Sequence, residues 1–336
     1  MTATTLKANS GASKEGLIVQ PESQSTLVWR RFRKHRLAVI SGVLLLIILV
    51  ASLLAPIIAP FGRDDIDISA ASRFAPALSR TPEGGLHLLG TDHLGRDVFT
   101  RLLYGARVTL IVAVLVAVFS TAIGMVIGAL AGYYRGFVDT LLMRFLDFMS
   151  SIPSFTVLLI LTSILITDPN LLPFPRIWLD TLRATMLLRD TQEARTVAVI
   201  LLVLIGFGWI GSARLMRGMV LSIRETLYVE ASRSLGVNSL RIIVQHVVPN
   251  AMAPIIVSFT QDLAAAFATE TVLSFLGYGV QEPTATWGNM MKLAEEYIFE
   301  QRLLPVIVGV PILICSLAFN FIGDGLRDAL DPRLKL

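Results

Sequence analysis

Charge is what this sequence has least of. Asp, Glu, Lys and Arg make up 16% of its 336 residues, against about 25% in soluble domains, a deficit that points to lipid rather than water as the surrounding medium. Cysteine is nearly absent. The single Cys315 excludes a disulfide framework or a cysteine-ligated zinc cluster, and its apolar neighbours make it a small packing residue. The four histidines, His35, His87, His93 and His246, have no ligand spacing, so no metal site is expected. No G-x-x-x-x-G-K-S/T loop occurs, which leaves the chain without a phosphate cradle of its own. Asp262 and Glu270 stand eight residues apart, about 12 Å along a helix, too far for a shared-proton dyad. With no nucleophile–base pair beside them, the sequence reads as non-enzymatic. No internal repeat is visible, which argues against the paired repeats of a secondary transporter or channel.

What the chain has in abundance is apolar length, at 54% hydrophobic residues. About 20 apolar residues cross the ~30 Å hydrocarbon layer as a helix, and six runs qualify: Leu37–Pro60, Val108–Gly132, Phe145–Thr167, Thr196–Ala213, Asn250–Leu276 and Leu304–Gly323. The fourth is short and the fifth carries Asp262 and Glu270. An all-α polytopic membrane protein with six transmembrane helices is therefore expected. WRRFRKHR, residues 29–36, holds five Lys/Arg and no acid just before the first run, which places the N-terminus in the cytoplasm. That first run is too long for a signal-peptide core and is read as an uncleaved helix. Six crossings then return the C-terminus to the cytoplasm. The inside segments sum to +8 and the outside ones to −4, in keeping with that direction and with the net charge of +4, so nucleic acid is not needed to explain the basicity.

The domain plan follows. Residues 1–28 form a disordered cytoplasmic tail, 29–107 the first transmembrane helix and an external loop, 108–323 a core with five transmembrane helices, and 324–336 a cytoplasmic C-terminus. Within the second run, Gly124, Gly128 and Gly132 recur every fourth residue and form a stripe without side chains for close helix packing, against this chain or a partner.

The core is interrupted by a polar loop, residues 214–249, containing YVEASRSLGVNSLRIIVQHVVPN (228–250). Glu225–Leu235 has helical character, Gly236 suits a helix-ending turn, and Asn238 is a natural N-cap for a second helix, which Pro249 and Asn250 close. A helical hairpin of this size buries little by itself and needs a surface to dock on.

Glu230-Ala231-Ser232, three residues, Gly236, then Val247-Val248-Pro249 resembles the EAA loop of membrane subunits of bacterial ABC importers. It departs in Ser232 for the second alanine and in Val for the expected Ile/Leu. LGTDHLGRDVFTRLLYGARVTL (89–110), AGYYRGFVD (131–139), LSFLGYGVQEPTATWGNM (273–290) and AFNFIGDGLRDALDPR (318–333) are similar to the C-type permease subunit of dipeptide/oligopeptide importers. The likeness covers roughly 29–167 and 196–333. It implies a type I ABC importer permease fold with a cytoplasmic EAA coupling hairpin, in the bacterial inner membrane. Implied partners are a B-type permease subunit, two ATP-binding subunits that hold ATP and Mg, and an extracytoplasmic solute-binding protein; this chain needs no cofactor. Glu230, Ala231, Ser232, Arg233, Gly236, Arg241 and Pro249 would form the contact with the ATP-binding subunit, with Arg233 and Arg241 facing it. The same branch carries dipeptides, longer peptides, nickel chelates and glutathione-like solutes, and the sequence does not choose among them.

Further charged residues carry expectations. Glu270 is read either as facing the pathway or an interface, with Arg107 or Arg101 as partner, or as a structural hydrogen-bonding group; Asp262 is placed with it. Arg144 and Asp147 are expected to pair locally. Asp92, Arg96, Asp97 and Arg101 pair with one another or with the binding protein, and the acidic 274–303 loop is either a docking or a solvated face. In the extra segment 168–195, Arg176, Asp180 and Arg183 share one helical face and Trp178, Leu182 and Met186 another, as an interfacial helix would have them.

Overall fold

The structure, a computed structural model, describes residues 24–66, 73–81, 84–168 and 171–331; most of the expected tail and the last five residues lie outside these. Among the described residues, five helices are long and apolar enough to cross a membrane: α2 (Arg36–Leu53), α4 (Val98–Tyr134), α8 (Thr191–Ile223), Ser239–Phe275, and α13 (Leu304–Leu330). The expected third crossing, Phe145–Thr167, is not one rod. α5 (Gly136–Ser151) and α6 (Ser154–Thr167) meet at 80°, because Ile152 precedes Pro153 and is held in the extended region at φ −85°, ψ 133°. Asp139 and Asp147 tie α5 to α8 through Arg217, at 2.5 Å, and Arg214, at 3.1 Å. Asp147 therefore pairs across helices rather than with Arg144, since α8 packs against the face that Asp147 occupies.

The chain ends settle the parity of the crossings. α1 (Gln24–Lys34) packs beside the end of α13, with Arg31 donating to the Asp331 carbonyl at 2.9 Å and a Cβ on Gly325 directed onto Ala38. With α1 and the end of α13 on one side, the number of crossings between them is even, which counts the bent α5–α6 pair as a sixth span. At the far end of α2, Arg107 of α4 donates to the Leu53 carbonyl at 3.1 Å, so α4 runs antiparallel to α2. The C-terminal ends of α4 and α8 thus share the side of α1 and of the end of α13.

α4 and α8 form the most extensive helix pair, and the glycine stripe lies between them. A Cβ at Gly124 would sit 2.7 Å from the Ser212 Cβ and one at Gly132 2.8 Å from the Val220 Cβ, while one at Gly128 would meet the Ala213 carbonyl and lie 2.8 Å from the Met216 Cβ. The close approach is therefore made within this chain. The helices overrun the expected apolar windows because their ends are polar. Thirty-seven residues of α4 span about 55 Å, and Asp97 caps the end remote from α1, called the outer end, by accepting from Thr100 N at 2.7 Å.

On that outer side, a two-stranded ribbon of β1 (Ser79–Arg80) and β2 (Leu86–His87), α7 (Arg176–Met186) and α12 (Trp287–Glu296) cover the ends of the long helices. α7 buries Leu179 and Met186 against its neighbours and leaves Ile177 and Trp178 outward. Met186 is thus separated from Trp178: seven residues bring 179 and 186 back to nearly the same helical angle, and eight do not. Cys315 is a free, buried thiol in the main apolar core.

Candidate functional site

The polar hairpin begins where α8 ends. α9 (Leu227–Ser234) stops in a Schellman turn, with Val237 N donating to Ser232 O at 3.2 Å and Gly236 N to Arg233 O at 3.0 Å. Gly236 has φ +74°, and a Cβ there would meet nothing within 4 Å. Glycine is needed for the backbone angle, not for space. Asn238 Oδ1 accepts from Leu240 N at 2.9 Å and caps α10 (Ser239–Ile242).

Pro249 does not close this second helix. A π-helical turn, Ile243–Val247, joins α10 directly to α11 (Val248–Phe275), and Val248 N donates to Ile243 O. The wider turn makes room for the proline ring, and Pro249, in the first turn of α11, is spared the N–H it lacks. Hairpin and fifth span are therefore one element.

The hairpin has two unlike faces. Val229, Ile242, Ile243 and Val247 are buried against Tyr133, Met216, Val220 and Ile223 at the ends of α4 and α8. Leu227 and Leu235, each 83% exposed, point outward with Leu240 and Val244. Glu230 and Ala231 are exposed on this outer face; Glu230 N donates to Thr226 O at 3.1 Å, while its carboxylate pairs with no cation among the described residues. Ser232 Oγ turns back to Tyr228 O at 2.8 Å. Arg233 is not simply free for a partner: its guanidinium lies 5.4 Å from the Tyr133 ring centre, and Arg224, 5.9 Å away, shares that ring. Arg241 is held by Gln245 at 3.0 Å.

The two membrane acids have separate settings. Glu270 is fully buried on α11, receives the Ser274 hydroxyl at 2.8 Å, and leaves Oε2 without a partner. Neither proposed arginine reaches it. Arg107 is spent on the Thr185 and Leu53 carbonyls, and Arg101 on Glu282 at 2.9 Å. Asp262 is half-buried and accepts from Ser212 of α8 at 2.6 Å and Thr121 of α4 at 3.4 Å.

At the outer surface, Asp92 and Arg96 pair at 2.7 Å, and Glu282 receives both Arg96 and Arg101 at 2.9 Å. All but Glu282 are buried, so their charges are turned on one another. Asp97 stands apart, bonded to His87 Nδ1 at 2.9 Å. Sequence reasoning missed Glu282 and the Arg63–Glu193 pair at 2.6 Å, because both join segments more than 100 positions apart. It also left α12 as loop, although Thr286 and Asn289 form a capping box that the T-x-x-N spacing could have revealed. Among the described residues no three His, Cys, Asp or Glu side chains gather as a metal site.

A bundle of apolar spans with most of its charged groups near the two ends defines a multi-pass, mostly helical membrane protein. The chain belongs to the family described as the binding-protein-dependent transport system inner membrane component, whose profile matches residues 124–336, and residues 23–77 match the N-terminal transmembrane domain of oligopeptide transport permease C. It is 37% identical over 316 residues to the oligopeptide transport system permease protein OppC of Mycobacterium tuberculosis, covering 92% of this chain and 95% of that one. The dipeptide transport system permease protein DppC of Bacillus subtilis is 34% identical, covering 91% and 85%. Among solved structures, the inward-facing methionine ABC transporter MetNI aligns at a TM-score of 0.46 and 19% identity, over 69% of this chain and 96% of that one.

Proposed function

We propose that this chain is one of two permease subunits of an ATP-driven importer for dipeptides or oligopeptides, and that its hairpin couples the pathway to ATP-binding subunits. The peptide class comes from the relatives named for it. The chain would pair with a B-type permease, two ATP-binding subunits carrying ATP and Mg, and an extracytoplasmic binding protein. Both termini and the hairpin would lie in the cytoplasm, where the basic segments fall.

The observation that carries the coupling reading is the two-faced hairpin: an inner face packed on α4 and α8, and an outer face of Leu227, Leu235, Leu240 and Val244 around an unpaired Glu230. Exposed apolar side chains rimmed by charge mark an interaction surface. Its rigid continuity with α11 lets a partner's movement enter the membrane. Turning a pathway from 1:99 to 99:1 takes about 5.5 kcal/mol of differential binding, which ATP-driven closure on this handle would supply.

Two measurements test the reading. ATP-binding subunits should co-purify with the tagged wild-type chain and be lost from Glu230→Lys, which should abolish uptake while remaining in the membrane. A Ser234→Cys probe, in a Cys315→Ser background, should resist an impermeant thiol reagent applied to intact cells. Labelling from outside, or normal uptake by Glu230→Lys, would defeat the assignment.

A further inference from the structure

Halfway along α11, thirteen residues from Pro249 and thirteen from Phe275, Asp262 opens onto a half-open cavity of about 370 Å³ lined by α4, α5, α6, α8 and α11. Its wall is largely apolar, with Ser120, Ser150, Ser154 and Thr269 as the other polar residues. That volume falls in the range of small-molecule sites, about 300–1,000 Å³.

Three features of the cavity point to one kind of occupant. Ser212 and Thr121 both donate to Oδ2 of Asp262, so among the described residues Oδ1 accepts nothing. The Ser120 hydroxyl, 1% exposed and set just behind the same wall against Gly208, has no hydrogen-bond partner among the described residues. No Lys, Arg or His lines the space. Arg214, which donates to the rim hydroxyl of Ser150 at 2.9 Å, is already paired with Asp147 at 3.1 Å. A carboxylate at this depth without a counter-charge is costly unless something completes it. A primary ammonium is the complement: positive, compact, with three donors and no acceptor. Oδ1 would take its charge, and Ser120 Oγ, once its rotamer turns from Gly208 into the space, a second N–H.

We infer that this cavity is a transit subsite for the ammonium group of the solute, with Asp262 as its counter-ion and Ser120 as a second acceptor. The inference rests on the peptide reading above, since peptides carry an ammonium at the N-terminus and on lysine. It assigns to the permease a preference for positive charge separate from any selection by a binding protein.

The test is the ratio of uptake rates of radiolabelled Ala-Lys-Ala and Ala-Glu-Ala into proteoliposomes holding the complete transporter with its binding protein. Asp262→Asn keeps a carbonyl acceptor for Ser212 and Thr121 and removes only the charge. It should lower the Ala-Lys-Ala to Ala-Glu-Ala ratio about tenfold, the worth of one hydrogen bond to a charged group, and Asp262→Glu should restore part of it. Ser120→Ala, whose hydroxyl has no partner within the chain to lose, should shift the ratio the same way by about threefold. A purely structural Asp262 predicts equal loss for both peptides, and an unchanged ratio in both variants overturns the inference. Should Asp262→Asn fail to assemble, the Ser120→Ala ratio decides alone. A wild-type complex that takes up neither peptide would instead defeat the peptide reading, and this inference with it.

Discussion

Alanine at Gly128 and at Gly218 is the same chemical change on two adjoining helices, and the structure assigns the two opposite consequences. A Cβ on Gly218 of α8 meets nothing within 4 Å, whereas one on Gly128 of α4 runs into the Ala213 carbonyl and lies 2.8 Å from the Met216 Cβ. The carbonyl belongs to the backbone of α8 and cannot rotate aside, so α4 and α8 must separate by roughly 1 Å. A gap of that size forfeits about a quarter to a half of each dispersion contact it opens. Overpacking of this kind costs about 1–3 kcal/mol, and within a bilayer no hydrophobic term repays it. Gly218→Ala removes backbone freedom only and should be neutral or stabilise by up to about 1 kcal/mol. The assay is the thermal midpoint of the complete complex in detergent, read by the fraction of chain that stays assembled after heating. Gly128→Ala should lower it, by about 2–4 °C per kcal/mol, and Gly218→Ala should not. Equal midpoints for the two variants would refute the claim that the stripe sets the helix separation.

Other predictions concern the two ends of the bundle. Gly236→Ala should cost about 1–2 kcal/mol at the turn, through its positive φ alone, and reduce uptake, while Gly236→Asn, which tolerates that region, should retain more activity in the same transport assay. Glu282→Gln withdraws the charge that faces Arg96 and Arg101; it should destabilise the outer cap by about 2–4 kcal/mol, less than a fully buried pair because Glu282 is partly solvated, and expose the 84–97 loop to limited proteolysis. Burial, helped by the Arg96 and Arg101 guanidiniums and opposed by Asp92 and Glu282, holds the His93 imidazole below its ordinary value. The unfolded chain therefore binds the extra proton below about pH 6.5, so stability falls as pH drops through that range, and His93→Gln should flatten the dependence of the melting midpoint on pH. Deleting Val244 converts the π turn to α and rotates the hairpin about 100° relative to α11; co-purification of ATP-binding subunits should be lost while membrane insertion persists.

Features governed by local chemistry were legible in the sequence. Gly236 and Asn238 end one helix and begin another through backbone angles and a side-chain cap that involve only neighbours, and the spans follow from apolar length. The glycine stripe was legible as a packing face, but not its partner, since nothing in α4 names α8. Pairings chosen by spacing failed where another helix intervened, as Asp147 turned to Arg214 instead of Arg144. Glu282 gave no signal because its arginines lie more than 180 positions away. The break at Pro153 was visible as a residue but was outvoted by the hydropathy on either side. Pro249 was misread because its effect depends on the turn before it, and a π turn leaves no mark in composition.

The continuity of the hairpin with α11 has a geometric consequence for how the proposed importer would work. At its outer end α11 is held fast: a Cβ on Gly288 of α12 would collide with the Thr271 carbonyl and the Ser274 Cβ, and Glu270 is buried beside them with the Ser274 hydroxyl on Oε1. No comparable clamp surrounds the hairpin's outer face. A helix fixed near Thr271 and pushed at Ser239 is a lever about 48 Å long, on which Asp262 sits only about 13 Å from the pivot. A displacement of about 4 Å at the hairpin then moves Asp262 by about 1 Å, enough to break or make its 2.6 Å contact with Ser212 without tearing the helix from its neighbours. Pro254 lies between hairpin and acid, and with no N–H for the Asn250 carbonyl it is the weakest joint of the shaft. Part of a sideways push is spent in bending there, so the 1 Å at Asp262 is the stroke of a stiff shaft. How far that joint bends therefore decides how much of the stroke reaches the middle of the membrane.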